Sequence, residues 1–403
     1  MTGRLFYDDA YRFAFDARLL STRQGPKGWE TVLDHTCFYP GGGGQPADRG
    51  TIGGRTVVAI EERGDDIVHV LDGEPAGPVV HGEIDAARRL DFMAQHTGEH
   101  LLSQCLLAAG NLATVSVHFG DETTTIEVAA ETAPETVLAD AEHRANVIAR
   151  ENRAVRTREL DREEALRLPL RRRPPEGERL RIVEIEGCDW AACGGVHVAS
   201  TGSIAPAKIT GVERIRGRVR IHARMGDRAL ADYGRTLALS QALGRLLSCG
   251  EVDIPKRVGG LVERERDLAR ELRRARVDRA AQAAAEAVAG ARAMPAGPDG
   301  TARRFVSRVF DGFGDEPVKA FVDAVLAEAG RVVAAADRSA DGFRWTLAHS
   351  LGAGGVDLAM LAKPVIAALG LRGGGRAGLV QGAGTDPAGA ERFVEAVARS
   401  LSA

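Results

Sequence analysis

Aromatic side chains make up only 5% of this 403-residue chain, methionine and cysteine contribute five residues each, and the formal net charge is −3. Each shortage removes a class of explanation. The cysteines, at 37, 105, 188, 193 and 249, are odd in number and lack framework spacing, so a reducing compartment fits better than a disulfide scaffold. No apolar run approaches ~18 residues, and MTGRLFYDDAYRFAF lacks the basic-then-apolar order of a signal peptide. A cytoplasmic protein with no membrane partner is expected. Near-neutral charge gives no global nucleic-acid signature, so any such contact must be local. Against these shortages stand 44% hydrophobic and 27% charged residues, enough for two to four soluble domains.

The most informative stretch is QHTGEHLLSQ, residues 95–104. Asp91 as N-cap, helix formers from Phe92 to Ala109 and Gly110 as stop predict a helix. Side chains four apart then share one face, so His96 and His100 can reach a single ion. Gly98 between them costs a helix roughly 1 kcal/mol relative to Ala, which signals a close neighbour. Two histidines do not fill a zinc shell. The best further donors lie downstream, at Cys193-Gly-Gly-Val-His197, where two glycines let the backbone wrap. His96, His100, Cys193 and His197 together supply three imidazoles and a thiolate, a set suited to Zn2+. Each pair alone is also common by chance. His96-Thr-Gly-Glu99-His100 matches the H-x-x-E-H pattern of inverzincin peptidases as well, but that site wants a carboxylate as third ligand.

The rest of the chain predicts an α+β protein in four parts. Residues 1–88 alternate in short runs (31–39, 55–62, 66–73) between Gly, Asp and Pro clusters, a small β-barrel or meander. Within it, FYPGGGGQPADRG either makes a turn or brings backbone close to a ligand, with Gln45 and Asp48 beside the glycines. Residues 89–226 hold both ligand pairs, a hairpin turning at Gly120-Asp121, a helix over 134–152 and a solvated linker at 170–181. In ERIRGRVRIHAR, strict alternation would set Arg214, Arg216, Arg218 and Arg220 on one strand face, either plain solvated surface or a phosphate-tracking ridge. Residues 227–295 read as two helices with coiled-coil-like spacing: a hairpin, an arm or a dimer seam. A linker at 294–300 precedes an α/β domain, 296–403, in which Arg372-Gly373-Gly374-Gly375-Arg376 is either a turn or a phosphate cradle.

HTGEHLL, CGGVHVASTGSI and FYPGGGGQPADRG resemble the editing domain of alanyl-tRNA synthetases, and more closely the free-standing alanyl-tRNA editing proteins (AlaX). The tail VDLAMLAKPVIAALGLRGGGRAGLVQGAG is similar to the DHH-associated domain of the synthetase and of the long AlaX form. The resemblance implies a small N-terminal β-barrel, an α/β editing core, and an ATP-independent hydrolase that serves translation fidelity. Its substrate would be alanine tRNA mischarged with serine or glycine. It implies zinc on His96, His100, Cys193 and His197, and an amino-acid pocket walled by Gly42, Gly43, Gly44 and Gln45. Gln45, Asp48, Glu99 and Asp189 are the candidate polar groups for catalysis, and tRNA would meet the two arginine segments. A homodimer through the helical arm or the C-terminal domain is compatible with it. Two positions depart from the family: Val196 where CGGTH is usual, and Glu99 where the synthetases carry threonine. A zinc-stabilised RNA-binding module without turnover is the alternative of a different class, and an HxxEH peptidase a third.

Overall fold

A computed structural model describes residues 2–297, 300–352 and 355–402; positions 298 and 299 of the expected linker lie outside the described residues. The protein is a mixed α+β chain that divides into two compact units, Met1–Leu243 and Gly244–Ala403. No helix among the described residues is long and apolar enough to cross a membrane.

Six strands near the start of the first unit form a barrel: β1 (Ala14–Gly25), β2 (Gly28–Leu33), β3 (Gly50–Ile52), β4 (Arg55–Arg63), β5 (Asp66–Leu71) and β6 (Val79–Ile84). Their pairing runs β1-β2-β5-β4-β3-β6 and returns to β1, closing a barrel without free edges. Alternate residues such as Phe15, Ala17, Leu33, Val57, Val80 and Ile84 fill it.

Helix α1 (Ala86–Gly110) follows and is the spine of the unit. It begins about a turn and a half before the expected start, because Asp85 rather than Asp91 is the N-cap and accepts from the Arg88 amide. Asp91 is instead one side of an ion pair with Arg228. The helix ends on Asn111 in the left-handed region (φ 53°), one residue past the expected stop. From Phe92 to Ser103 every residue is buried, so the helix is enclosed all round rather than amphipathic. Strands β7 (Thr114–Phe119) and β8 (Thr124–Val128) form the expected hairpin, and α2 (Glu135–Arg150) packs on α1. Strands β9 (Val155–Asp161), β10 (Arg179–Ile185) and β11 (Asp189–Ala192) make a three-stranded sheet; β12 (Ala207–Ile215) and β13 (Arg218–Met225) join β8 and β7 in the order β12-β13-β8-β7. The Met225 side chain occupies the space a Cβ on Gly98 would need, and Gln95 grips the Met225 backbone in both directions. The expected close neighbour at Gly98 is therefore present.

The arginine segment differs from expectation. Residues 213–224 are a hairpin, with Arg216 (φ 47°) and Gly217 (φ 75°) forming its turn between β12 and β13. A two-residue turn reverses the chain, so the alternation does not continue along one face. Arg214 opposes Val219, while Arg218 and Arg220 oppose Ile215 and Glu213. The four arginines divide between faces and turn, and Arg220 is paired with Glu127 and Glu213.

Two long helices follow in the chain, α3 (Asp227–Leu247) and α4 (Ile254–Ala289). The second unit contains a six-stranded sheet of β14 (Arg292–Met294), β15 (Arg303–Asp311), β16 (Arg331–Ser339), β17 (Gly342–His349), β18 (Arg372–Arg376) and β19 (Leu379–Gly384), in the order β14-β15-β16-β17-β19-β18. Its helices are α5 (Asp315–Leu326), α6 (Leu358–Leu369) and α7 (Gly389–Ser402). Alternate residues of β16 enter two different cores: Val333 and Ala335 face α4 and α5, Ala334 and Ala336 face α6 and α7. The Arg372–Arg376 run is an edge strand, not a loop. None of its glycines has positive φ, and its amides align with β19 rather than forming an anion nest. Gly373 is required because the Trp345 indole lies against it, whereas Gly374 faces open space.

Candidate metal centre

His96 and His100 sit one turn apart in the buried middle of α1, while Cys193 and His197 lie in the irregular segment after β11. Bringing that segment onto the helix requires Gly195, since a Cβ there would intrude on the His96 ring and on Gln45 Oε1. The segment is held from outside as well. The Tyr7 hydroxyl donates to the Gly194 carbonyl at 3.0 Å, and the Arg181 guanidinium to the Cys193 and Gly195 carbonyls at 2.9 and 2.6 Å. As a result, one ligand atom from each of His96, His100, Cys193 and His197 lies within 4.8 Å of the others. Residues almost a hundred positions apart thus converge at one point.

The outer sides of two of the imidazoles are fixed by hydrogen bonds to different residues. Gln45 Oε1 accepts from the Val196 amide at 3.1 Å, which identifies that atom as the oxygen; His96 Nδ1, 2.8 Å away, must then be the donor. His96 Nε2 is left with its lone pair, 3.3 Å from Cys193 Sγ. His197 Nδ1 lies 3.1 Å from Thr97 Oγ1, and its Nε2 is buried without a hydrogen-bond partner. His100 Nδ1 is 3.4 Å from Asp189 Oδ2, close enough for charge attraction without hydrogen-bond geometry. His96 and His197 thus show the pattern that metal-ligating histidines need, one nitrogen tethered and the other free. A buried orphan nitrogen costs free energy unless something meets it.

The groups of the cluster are tuned in different directions. Burial alone would raise the Cys193 thiol, but its interactions with the His96, His100 and His197 imidazoles hold it well below the usual range, favouring the thiolate. His197 is pushed down to about 3 by burial and by the neighbouring imidazoles, which keeps it neutral. Burial opposes protonation of His100 too, yet Asp189, the Cys193 sulfur and Glu99 outweigh it and push the group up to about 10. One thiolate and three imidazoles fit a zinc-type donor set in number and kind.

The other expected site residues fall into distinct surroundings. Gln45 and Asp189 stand behind His96 and His100 as supports, not as walls of an open pocket. Asp48 is engaged elsewhere: it is buried in an ion pair with Arg89 and accepts from the Tyr39 amide at 2.6 Å. Glu99 Oε1 accepts from Ser103 at 2.5 Å, and Oε2 lies 3.9 Å from His100 Nε2, facing the cluster. Gly41 to Gly44 all have positive φ (90°, 143°, 57° and 93°), so the run is a shaped loop that other residues would strain. Gly42, Gly43 and Gly44 are exposed, and a Cβ on Gly44 would meet Val117 O and the Phe119 ring. That ring lies 4.9 Å from His96, centroid to centroid. Val196 is fully buried in the core, so the position that departs from CGGTH meets the site only through its amide.

Sequence reasoning missed Thr97, Arg171 and Arg181. A helical threonine carries no signal of its own. The two arginines belong to a segment read as a solvated linker, yet Arg171 is nearly buried, donates to the His100 carbonyl at 2.9 Å and lies 3.5 Å from Asp189.

Residues 180–222, which include Cys193 and His197, match the family model described as the threonyl and alanyl tRNA synthetase second additional domain. The alanine–tRNA ligase of Ignicoccus hospitalis is 33% identical over 284 residues, covering 64% of this chain and 30% of the ligase. That of Korarchaeum cryptofilum is 34% identical over 292 residues, covering 68% and 32%. That of Thermoplasma acidophilum is 36% identical over 260 residues, covering 61% and 29%. The chain therefore spans about 30% of the length of these curated relatives. The C-Ala domain of Aquifex aeolicus alanyl-tRNA synthetase aligns over 28% of this chain and 99% of its own, with 23% identity and a TM-score of 0.24, too low to argue from. The chain is related in sequence to the alanyl-tRNA synthetases, and the segment that matches the second additional domain contains Cys193 and His197, half of the candidate metal-binding cluster.

Proposed function

We propose that this protein is a metal-dependent aminoacyl-tRNA deacylase that acts in trans on alanine tRNA mischarged with serine, or with glycine, as the AlaX resemblance implies. The observation that carries the reading is the convergence of three imidazole nitrogens and one sulfur between α1 and the Cys193–His197 segment. His96, His100, Cys193 and His197 would hold a zinc ion, which supplies a Lewis acid able to polarise an ester carbonyl or a water.

The chain's own residues do the rest. Gln45, Thr97 and Asp189 orient the three rings. Glu99, steadied by Ser103, presents one free carboxylate oxygen toward the cluster, where it can bind the ammonium or hydroxyl of the aminoacyl group. The exposed backbone of Gly42 to Gly44 admits the substrate without side chains in the way. A pocket that hydrogen-bonds a hydroxyl discriminates serine from alanine far better than an apolar one. Asp48 serves by holding the barrel to α1 through Arg89. On this reading 1–88 is the glycine-loop barrel, 89–226 the editing core, 227–295 the arm, and 296–403 the tRNA-binding part. Arg214, Arg216 and Arg218 around the hairpin turn, and Arg372 and Arg376 on one face of β18, would meet phosphates through planar guanidinium forks.

A second reading is favoured by the ligand count. Four protein donors usually describe a closed, structural site, which would make this a zinc-stabilised RNA-binding module. Deacylation assays with Ser-, Gly- and Ala-tRNA(Ala) separate the two. The deacylase reading expects release of serine, abolished by Cys193→Ala. Intact Ser-tRNA(Ala) after incubation with the zinc-loaded wild type would leave only the structural role.

A further inference from the structure

We propose that Thr97 is a positioning residue that forms the metal site in advance, by fastening the Cys193–His197 segment to α1 through a single hydroxyl; the inference rests on the metal-dependent reading above. Thr97 lies between two ligands on α1 and is fully buried. Its Oγ1 is 3.1 Å from His197 Nδ1 and 3.2 Å from the Val198 amide. A hydroxyl oxygen has two lone pairs, so it can accept from both. Gln45 does the same on the other side, with Oε1 taking His96 Nδ1–H and the Val196 amide.

The two peptide N–H groups that flank His197 are therefore each held by an oxygen that also holds a ligand imidazole. This pairing ties backbone position to ring orientation. A shift of the segment along α1 would break a backbone hydrogen bond and a ring hydrogen bond together. Donation from Nδ1 of His197 to Thr97 leaves Nε2 bare, and that nitrogen is buried without a hydrogen-bond partner. Asp189 cannot substitute, because it faces His100.

Two variants separate the hydroxyl from the volume. Thr97→Val keeps the shape of the side chain and removes the acceptor, whereas Thr97→Ser keeps the acceptor. Competition with a chromophoric chelator, run on the full chain with zinc alone, should give roughly 10–100-fold weaker affinity for Thr97→Val. Thr97→Ser should stay near the wild type. Equal affinity of Thr97→Val and wild type overturns the inference. Long-range proton–nitrogen NMR of the metal-free wild type supplies a readout that needs no variant. The inference expects the His197 proton on Nδ1, and a proton on Nε2 overturns it even if Thr97→Val does not fold. A wild type that binds no zinc would instead sink the metal-dependent reading itself, so the two failures are distinguishable.

Discussion

Two buried polar clusters in the first unit are built on opposite principles. Around Arg89 every group is answered: the guanidinium meets both oxygens of Asp48 and the carbonyls of Ala10 and Cys37, and Asp48 also takes the Tyr39 amide. Around His96 the groups are answered only in part: Gln45 and Thr97 meet the Nδ1 atoms of His96 and His197, whereas His197 Nε2, His100 Nδ1 and both Asp189 carboxylate oxygens are buried without a hydrogen-bond partner. Burial of unpaired polar or charged groups is costly in either place. The first cluster recovers that cost within the protein and holds the barrel to α1. The second leaves several buried polar atoms unmet around four side chains that could hold a metal ion. Buried polar residues mark function where their unmet atoms converge, and structure where nothing is unmet.

The comparison can be broken at several points. The largest effect belongs to the unmet cluster. Cys193→Ala should abolish stoichiometric zinc binding and serine release from Ser-tRNA(Ala), while the metal-free variant unfolds at nearly the wild-type denaturant concentration. A fully active variant would remove the distinction. The answered cluster should behave in reverse. Asp48→Asn leaves Arg89 as an uncompensated buried charge and should cost roughly 3–5 kcal/mol in chemical denaturation, with zinc affinity little changed in the molecules that remain folded.

A third buried polar group gives a pH test. His69 is fully buried between Thr36 and Thr31, and burial pushes it down to about 4. An unfolded histidine takes up its proton near pH 6.5 and the folded one only near 4, so this contribution to stability is complete above 6.5 and is lost as the pH falls toward 4. The loss amounts to about 3 kcal/mol across that window. His69→Gln should flatten this part of the stability profile. The smallest effect lies on the surface of the second unit. Replacing Arg372 and Arg376 with alanine should weaken tRNA binding evenly across sequences and reduce the salt slope by about one for each phosphate no longer neutralised.

The convergence of His96, His100, Cys193 and His197 was legible in the sequence because donor residue types recur there at short spacings, and Gly98 announced a close approach. The start of α1 was not, since Asp85 and Asp91 both precede good helix formers and only the amide they cap distinguishes them. The arginine ridge failed for a specific reason. Arg216-Gly217 fits the alternation of its neighbours, and the glycine within that strand pattern was the sign of a turn. The two glycine runs also look alike in sequence. Gly41–Gly44 needs glycine for backbone angle, whereas in Arg372–Arg376 glycine admits a neighbour, Trp345 at Gly373. The supports behind the rings were least legible, because a threonine in a helix and an arginine in a charged run take their roles from tertiary contacts.

X-ray absorption at the zinc edge of the metal-loaded full chain tests the central claim most directly. The account predicts one sulfur at about 2.3 Å and imidazole nitrogens at about 2.0–2.1 Å, with the sulfur contribution missing in Cys193→Ala. A shell of light atoms alone in the wild type, unchanged by that substitution, would contradict it.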